Sequence, residues 1–423
     1  MHCPLNCRHF VIALALFVGT ASLRAEPNLL ATYSGKYSRQ SRLERAAKDV
    51  QATYDERLKI VQDKLGVAPA AGNAIEIVLR DAQPADPPKY APFAGAPFQT
   101  LWQGAQVQIL LHAEFIVNGR VDVKRSFTHE LAHAVIRTHL TRDAYAVVPT
   151  WLREGLAVWC ADQIPQKVAA LYCDPTTPAD AHLKGIADTA DAESQSRYAE
   201  YGLAIEMIAK QKGEPAVRAL VAAIVAGKDV QEAVRQVTGQ TWQDFVAAAK
   251  AYATSRVREL QPPGATEFAS IRARDQSRSY PEVIAEGTKF LRTYRDSPLA
   301  GDVLYFMVKA YRAQQNLTAA KSTLRTLEEK HAHDCTLMDE AVYQVGIGDV
   351  AAKQWTAAIR EFEALLRDQP DSNLQDRALY NLALCHARNG NKKKAKEYVE
   401  IFDRSFPNSK MSAEMAKLRG ELK

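Results

Sequence analysis

Phe127-Thr128-His129-Glu130-Leu131-Ala132-His133-Ala134-Val135 is the stretch on which the reading of this chain turns. It holds no proline or glycine, and its residues suit a helix. On an α-helix, residues four apart differ in direction by only about 40°, so His129 and His133 stand one above the other on one face. Two neutral imidazoles so placed can grip one zinc ion, and Glu130 beside them is placed to take a proton from a water. Phe127, Leu131, Ala134 and Val135 mark the helix as buried. Two histidines and a glutamate buried there without a partner would be costly, and a bound metal removes much of that cost.

Structural zinc sites are closed by four protein ligands, whereas catalytic ones use three and leave a position for water. Two residues compete for the third place. His139 falls at the spacing of His-Glu-x-x-His-x-x-Gly-x-x-His, the metzincin pattern, but the position that needs glycine is Ile136, a β-branched residue ill suited to a left-handed turn. If the helix continues, His139 sits roughly 9 Å beyond His133 along the axis, out of reach of the same ion. The other is Glu154, in Pro149-Thr150-Trp151-Leu152-Arg153-Glu154-Gly155-Leu156-Ala157-Val158-Trp159. Pro149 and Thr150 read as a turn and a helix N-cap, and Trp151, Leu152, Leu156 and Trp159 recur at helical spacing. Two antiparallel helices joined through Thr141–Thr150 would bring Glu154 opposite the two histidines.

This arrangement resembles the gluzincins, zinc peptidases whose third ligand is a glutamate on the next helix. Trp-Leu-x-Glu-Gly-Leu-Ala is more closely similar to the bacterial peptidase MA-like group within them. The resemblance implies an α+β zincin-like catalytic domain, one Zn²⁺ held by His129, His133 and Glu154, and Glu130 as the general base. It implies that Val107–Leu111, a strand preceding the metal-binding helix, pairs with an extended peptide. It also implies that Tyr198, in the helix opened by Tyr198-Ala199-Glu200-Tyr201-Gly202, donates to the oxyanion, although packing alone accounts for both tyrosines. One departure is Val158, four residues after Glu154, where thermolysin-like enzymes often carry an aspartate that orients a histidine. Asp162 and Asp143 are the candidates left for that task.

At 423 residues the chain exceeds one ordinary core, so two or more domains are expected. A net charge of +5, with no clustered basic stripe, argues against nucleic acid. Residues 1–25 read as a signal peptide, with Arg8 before the apolar run Phe10–Val18, too short to cross a membrane. The protein is therefore expected to be exported, periplasmic or extracellular, with no integral membrane domain once the leader is removed. Of the six cysteines, Cys160, Cys173, Cys335 and Cys385 lie beyond the leader. Oxidising surroundings permit disulfides, Cys160–Cys173 being the first pairing to expect, though buried thiols account for them equally.

Residues 26–41 read as a linker, and 42–260 as the peptidase-like domain. Within it lie a helix over Leu43–Leu65, strands over Ala74–Leu79 and Ala105–Leu111, a proline-rich loop between them, and a polar excursion over Asp174–Ser196 that suits a lid. Gln261-Pro262-Pro263-Gly264 breaks the chain. Over 265–423 helical periodicity repeats: Pro298, Asp334 and Pro370 are 36 residues apart, and Pro407 follows 37 further on. Ala378-Leu379-Tyr380-Asn381-Leu382-Ala383-Leu384-Cys385, with Gly390, Ala395 and Tyr398, resembles a tetratricopeptide repeat. That implies an all-α array with a concave face for a protein partner. The expectation is thus an exported zinc metallopeptidase acting on polypeptide, with repeats that recruit substrate or partner. The competing expectation is an envelope scaffold or assembly protein working through its repeats, its metal site vestigial or structural. An intact Glu130 weighs against the second, because a structural site needs no base.

Overall fold

Amphipathic spacing builds the first long element, α1 (Gln40–Leu65), which buries Leu43, Val50, Tyr54, Val61 and Leu65 at three- and four-residue intervals. The structure, a computed structural model, describes residues 29–32, 40–80, 98–104, 106–117, 119, 121–173, 178–189, 197–369 and 372–422. The expected leader, the proline-rich loop 81–97 and much of the excursion Asp174–Ser196 lie outside them. No helix among the described residues is long and apolar enough to cross a membrane.

Four strands form one sheet in the order β1-β2-β4-β3. They are β1 (Leu29–Thr32), β2 (Ile75–Arg80), β3 (Phe98–Gln103) and β4 (Gln106–His112). β1, β2 and β4 run parallel, with Leu29 opposite Ile77 and Ile77 opposite Ile109. β3 pairs with β4 antiparallel, Thr100 opposite Ile109, and Gly104 after it has φ +64°. Two expectations are corrected here. Leu29–Thr32, read as linker, is a strand: its short apolar run extends the sheet, and the serine-rich composition after it hid this. Val107–Leu111 cannot pair with a peptide, because β4 has β2 on one side and β3 on the other. The outer strands of this order are β1 and β3, and of the two it is β3 that packs on the helix carrying His129 and His133.

The helices that follow are α2 (Ala113–Val117), α3 (Val123–Arg137), α4 (Arg142–Ala146), α5 (Thr150–Cys160), α6 (Ile164–Leu171), α7 (Tyr198–Lys212), α8 (Glu214–Val225), α9 (Val230–Thr238) and α10 (Trp242–Glu259); α3 packs on β3 and β4, α5 on α3, and α7 on α5. Asp122 caps α3 by accepting from the Arg125 N–H at 3.1 Å, and Thr141 caps α4 in the same way. The closest crossing is α5 on α7, and two glycines permit it. A Cβ at Gly155 would stand 2.5 Å from the Tyr201 carbonyl oxygen, and one at Gly202 2.5 Å from Val158 Cγ1. One apolar core, from Leu43 to Val257, serves this part of the chain.

A second core, from Ala265 to Leu422, serves the rest. It is built from helix pairs: α11 (Ala265–Gln276) with α12 (Tyr280–Thr293), α13 (Ala300–Ala313) with α14 (Leu317–Thr326), α15 (Met338–Ala351) with α16 (Trp355–Asp368), and α17 (Gln375–Arg388) with α18 (Lys392–Ser405), closed by α19 (Ser412–Glu421). One polar contact recurs from unit to unit. A carboxylate on the first helix of a pair receives a hydroxyl from the start of the next pair: Asp302 from Thr336 at 2.8 Å, Asp339 from Ser372 at 2.6 Å, Asp376 from Ser409 at 2.5 Å. The two parts touch. Arg42 donates to the carbonyls of Val117 (2.9 Å) and Glu328 (3.1 Å), and Arg272 donates to the Tyr172 carbonyl at 3.0 Å.

Candidate metal centre

α3 and α5 pack against each other and bring His129, His133 and Glu154 together, all three buried. His129 Nε2 lies 3.2 Å from both His133 Nε2 and Glu154 Oε2, and His133 Nε2 lies 3.4 Å from that oxygen. Three corners of a tetrahedron around an ion with bonds of about 2.0–2.2 Å are about 3.3–3.6 Å apart, so the triangle is close to the size of a zinc ligand set. Among the described residues these are the His, Cys, Asp and Glu side chains whose ligand atoms converge in this way. His139 is elsewhere: α3 ends at Arg137, and His139 Nε2 bonds the Ala68 carbonyl oxygen at 2.6 Å.

The outer ring nitrogens are also held. Gln163 Oε1 accepts from His129 Nδ1 at 2.9 Å, and the Tyr145 hydroxyl lies 2.9 Å from His133 Nδ1. With Nδ1 carrying the proton, both Nε2 lone pairs point to the centre of the triangle. Neither partner was found in the sequence. Asp162 instead turns outward to Lys64, at 2.8 Å, while Asp143 opens the first turn of α4, two residues before the tyrosine that matters. The missed signal is a helix ending. After α5, Asp162 adopts φ +52°, and the Gln163 N–H returns to the Val158 carbonyl at 3.0 Å. This Schellman closure swings Gln163 back over the metal face.

Glu154 and the histidines are electrostatically coupled. Burial pushes the Glu154 carboxyl up, yet His133 and His129 outweigh it and hold the group well below the usual carboxylate range. Burial pushes His129 down, and Glu154 and Glu130 overcome it. Burial of the Tyr145 phenol raises it to about 12, so it stays protonated. Arg137 fixes its ring, lying 4.5 Å from it and 4.7 Å from the Trp102 ring while donating to the Thr100 carbonyl.

Glu130 is buried one residue along from His129, and its carboxylate accepts the Thr100 hydroxyl at 2.6 Å. Thr100 belongs to β3, so the edge strand and the expected base are directly joined. A cavity of about 470 Å³ opens over them, lined by β3 residues Phe98–Leu101, by His129, Glu130, His133 and Glu154, and by Lys167 and Tyr198. Tyr198 stacks on the His129 imidazole, ring centres 6.3 Å apart and 15° from parallel. Lys167 places its ammonium 5.2 Å from the Tyr198 ring, and burial lowers its pKa to about 8. Lys167 is a cleft residue that the sequence did not disclose. Tyr201 is instead core, 1 % exposed.

All four described cysteines are thiols. Cys160, raised to about 12 by burial, has Lys64 and Asp162 near it, whereas Cys173 lies against Asp302 and Thr336. The expected Cys160–Cys173 pair is therefore separated into different surroundings.

Residues 377–409, spanning α17 and α18, match the tetratricopeptide repeat family model. The C-terminal part of the chain is thus a helical-repeat region of a kind that commonly mediates protein–protein interactions. No curated protein and no solved structure matches the chain.

Proposed function

We propose that this protein is an exported zinc-dependent metallopeptidase of gluzincin type, with repeats that recruit substrate or partner. The observation that carries the reading is the Nε2, Nε2, Oε2 triangle of His129, His133 and Glu154 beside a buried Glu130 in an open cleft. The donor set, two imidazoles and one carboxylate with held outer nitrogens, fits zinc in an open catalytic site. Bound there, zinc would supply Lewis acidity, polarising a peptide carbonyl and acidifying a water.

The remaining steps belong to the chain. Glu130 accepts a proton on its carboxylate and passes it to the leaving amine. Thr100 holds that carboxylate toward the cleft. β3, the edge strand lining the cavity, offers backbone groups to an extended peptide, the part earlier assigned to β4. Tyr198 shields the His129 face, and its phenol is the proposed donor to the oxyanion.

The test is zinc content together with hydrolysis of an unfolded protein substrate, comparing wild type with Glu130→Gln and Glu154→Ala. Wild type should hold about one zinc. Glu130→Gln should keep the metal and lose at least about 100-fold in kcat, the lower end of general-base contributions. Glu154→Ala should lose the metal. Folded wild type that binds no zinc would remove the enzyme reading, and zinc without cleavage by any form would favour the scaffold.

A further inference from the structure

We infer that the repeat region builds one wall of the substrate cleft, and that His333 and Asp334 contact the polypeptide at residues removed from the bond that is cut. This rests on the peptidase reading and gives its substrate class a length: a chain long enough to lie along β3 and reach the repeats. Pro298, His333, Asp334, Cys335 and Thr336 line the same cavity as His129, Glu130 and His133, although about 200 residues separate the two sets in sequence. Pro298 precedes α13, and the other four sit in the connection between α14 and α15, which bends through a wider helical turn at Leu327–His331.

That connection is held on several sides. Thr336 donates its N–H and hydroxyl to the two oxygens of Asp302, each at 2.8 Å, and Asp302 is fully buried. Gly301 lets the loop approach, since a Cβ there would stand 2.9 Å from the Cys335 backbone. Arg42 ties Glu328 to Val117 across the two parts, and Gly119 lies under Ala332. A wall so anchored is a fixed surface, as recognition requires.

The surface is polar and partly open, unlike a plain packing interface. The His333 imidazole lies 3.2 Å from the Asp334 carboxylate, with side chains 40 % and 23 % exposed. Asp334 faces the start of α3, where Asp122 and Arg125 are its charged neighbours. A peptide extended along β3 advances about 3.3 Å per residue. A peptide that contacts both β3 and this wall is longer than one that occupies β3 alone.

The test uses the full-length, zinc-loaded Glu130→Gln protein with β-casein as an unfolded probe, read by amide hydrogen exchange. Casein should protect both 98–103 and 331–336. In the same background His333→Ala should weaken casein binding about tenfold, as loss of one charge-assisted contact does. Asp334→Asn, which preserves shape, should do so to a lesser degree. Protection at 98–103 without 331–336, or unchanged affinity in both variants, would overturn the wall and leave the peptidase reading standing. No protection at either segment, with no cleavage of casein by wild type, would overturn both.

Discussion

The metal-centre region and the repeat array are both largely helical, yet they hold together by different logic. In the array one contact is used again and again: Asp302, Asp339 and Asp376 each receive a hydroxyl from the following unit, in a setting of interchangeable apolar helix pairs. Around the triangle nothing repeats. Gln163, Tyr145, Thr100 and Glu130 each have a single task, and two glycines set the helix spacing on which all of them depend. A repeated contact divides its contribution over several copies, whereas a unique one leaves no substitute. Substitutions in the first region should therefore reach the site, and those in the second should stay local.

The largest expected effect tests that contrast directly. At Gly155 an added methyl meets backbone, 2.5 Å from the Tyr201 carbonyl oxygen, so α7 and α5, the helix that carries Glu154, must be pushed apart. At Gly346 it meets the buried Phe362 ring at 2.7 Å, a side chain rather than backbone, so relief takes repacking of the ring and no displacement of a metal-bearing helix. Gly155→Ala should cost about 3 kcal/mol and weaken zinc binding, whereas Gly346→Ala should cost about 1 kcal/mol and leave the metal unaffected. Urea unfolding with zinc titration on both variants measures this, and equal costs would erase the contrast.

Next comes the second layer of the site. Gln163→Leu removes the acceptor for His129 Nδ1 without adding charge. Zinc affinity should fall about 10- to 100-fold, with the fold unchanged by circular dichroism. An unchanged affinity would mean that the helix packing alone orients His129.

Much of this region was legible in the sequence because its signals are local. His129 and His133 are one helical turn apart, and Trp151–Trp159 repeats at helical spacing, so both helices and the place of Glu154 could be read. The repeat units were legible for the same reason, their landmarks recurring at 36 residues. What escaped depends on groups far apart in the chain, or on how a chain turns where a helix stops. The apolar run Val107–Leu111 reveals a strand but not its neighbours, so the resemblance that assigns it a peptide does not tell that β4 is central and β3 outer. Asp162 is one of the two candidates the sequence leaves for orienting a histidine, but the left-handed turn at that residue sends its carboxylate to solvent and the next side chain inward. The wall at His333–Thr336 has no local signature, since it exists only once two separately built cores meet.

The smallest effect lies in the array and depends on pH. Burial first, then the neighbouring Asp339 carboxylate, pushes the Glu340 carboxyl up to about 8. An unfolded glutamate titrates near 4.3, so between there and about pH 8 the folded chain retains a proton that the unfolded chain releases. Stability from this group is complete below that window and is lost as pH rises through it. Glu340→Gln, permanently neutral, should therefore flatten the decline in Tm from pH 5 to 8. Because Glu340 is partly exposed, the gain at pH 8 is discounted for solvent to about 1 kcal/mol. Thermal melts at both pH values measure it. If the array is as local as its repeated contacts suggest, zinc affinity in this variant should match wild type at every pH, whereas a linked change would show that α15 communicates with the cleft through the loop at its start.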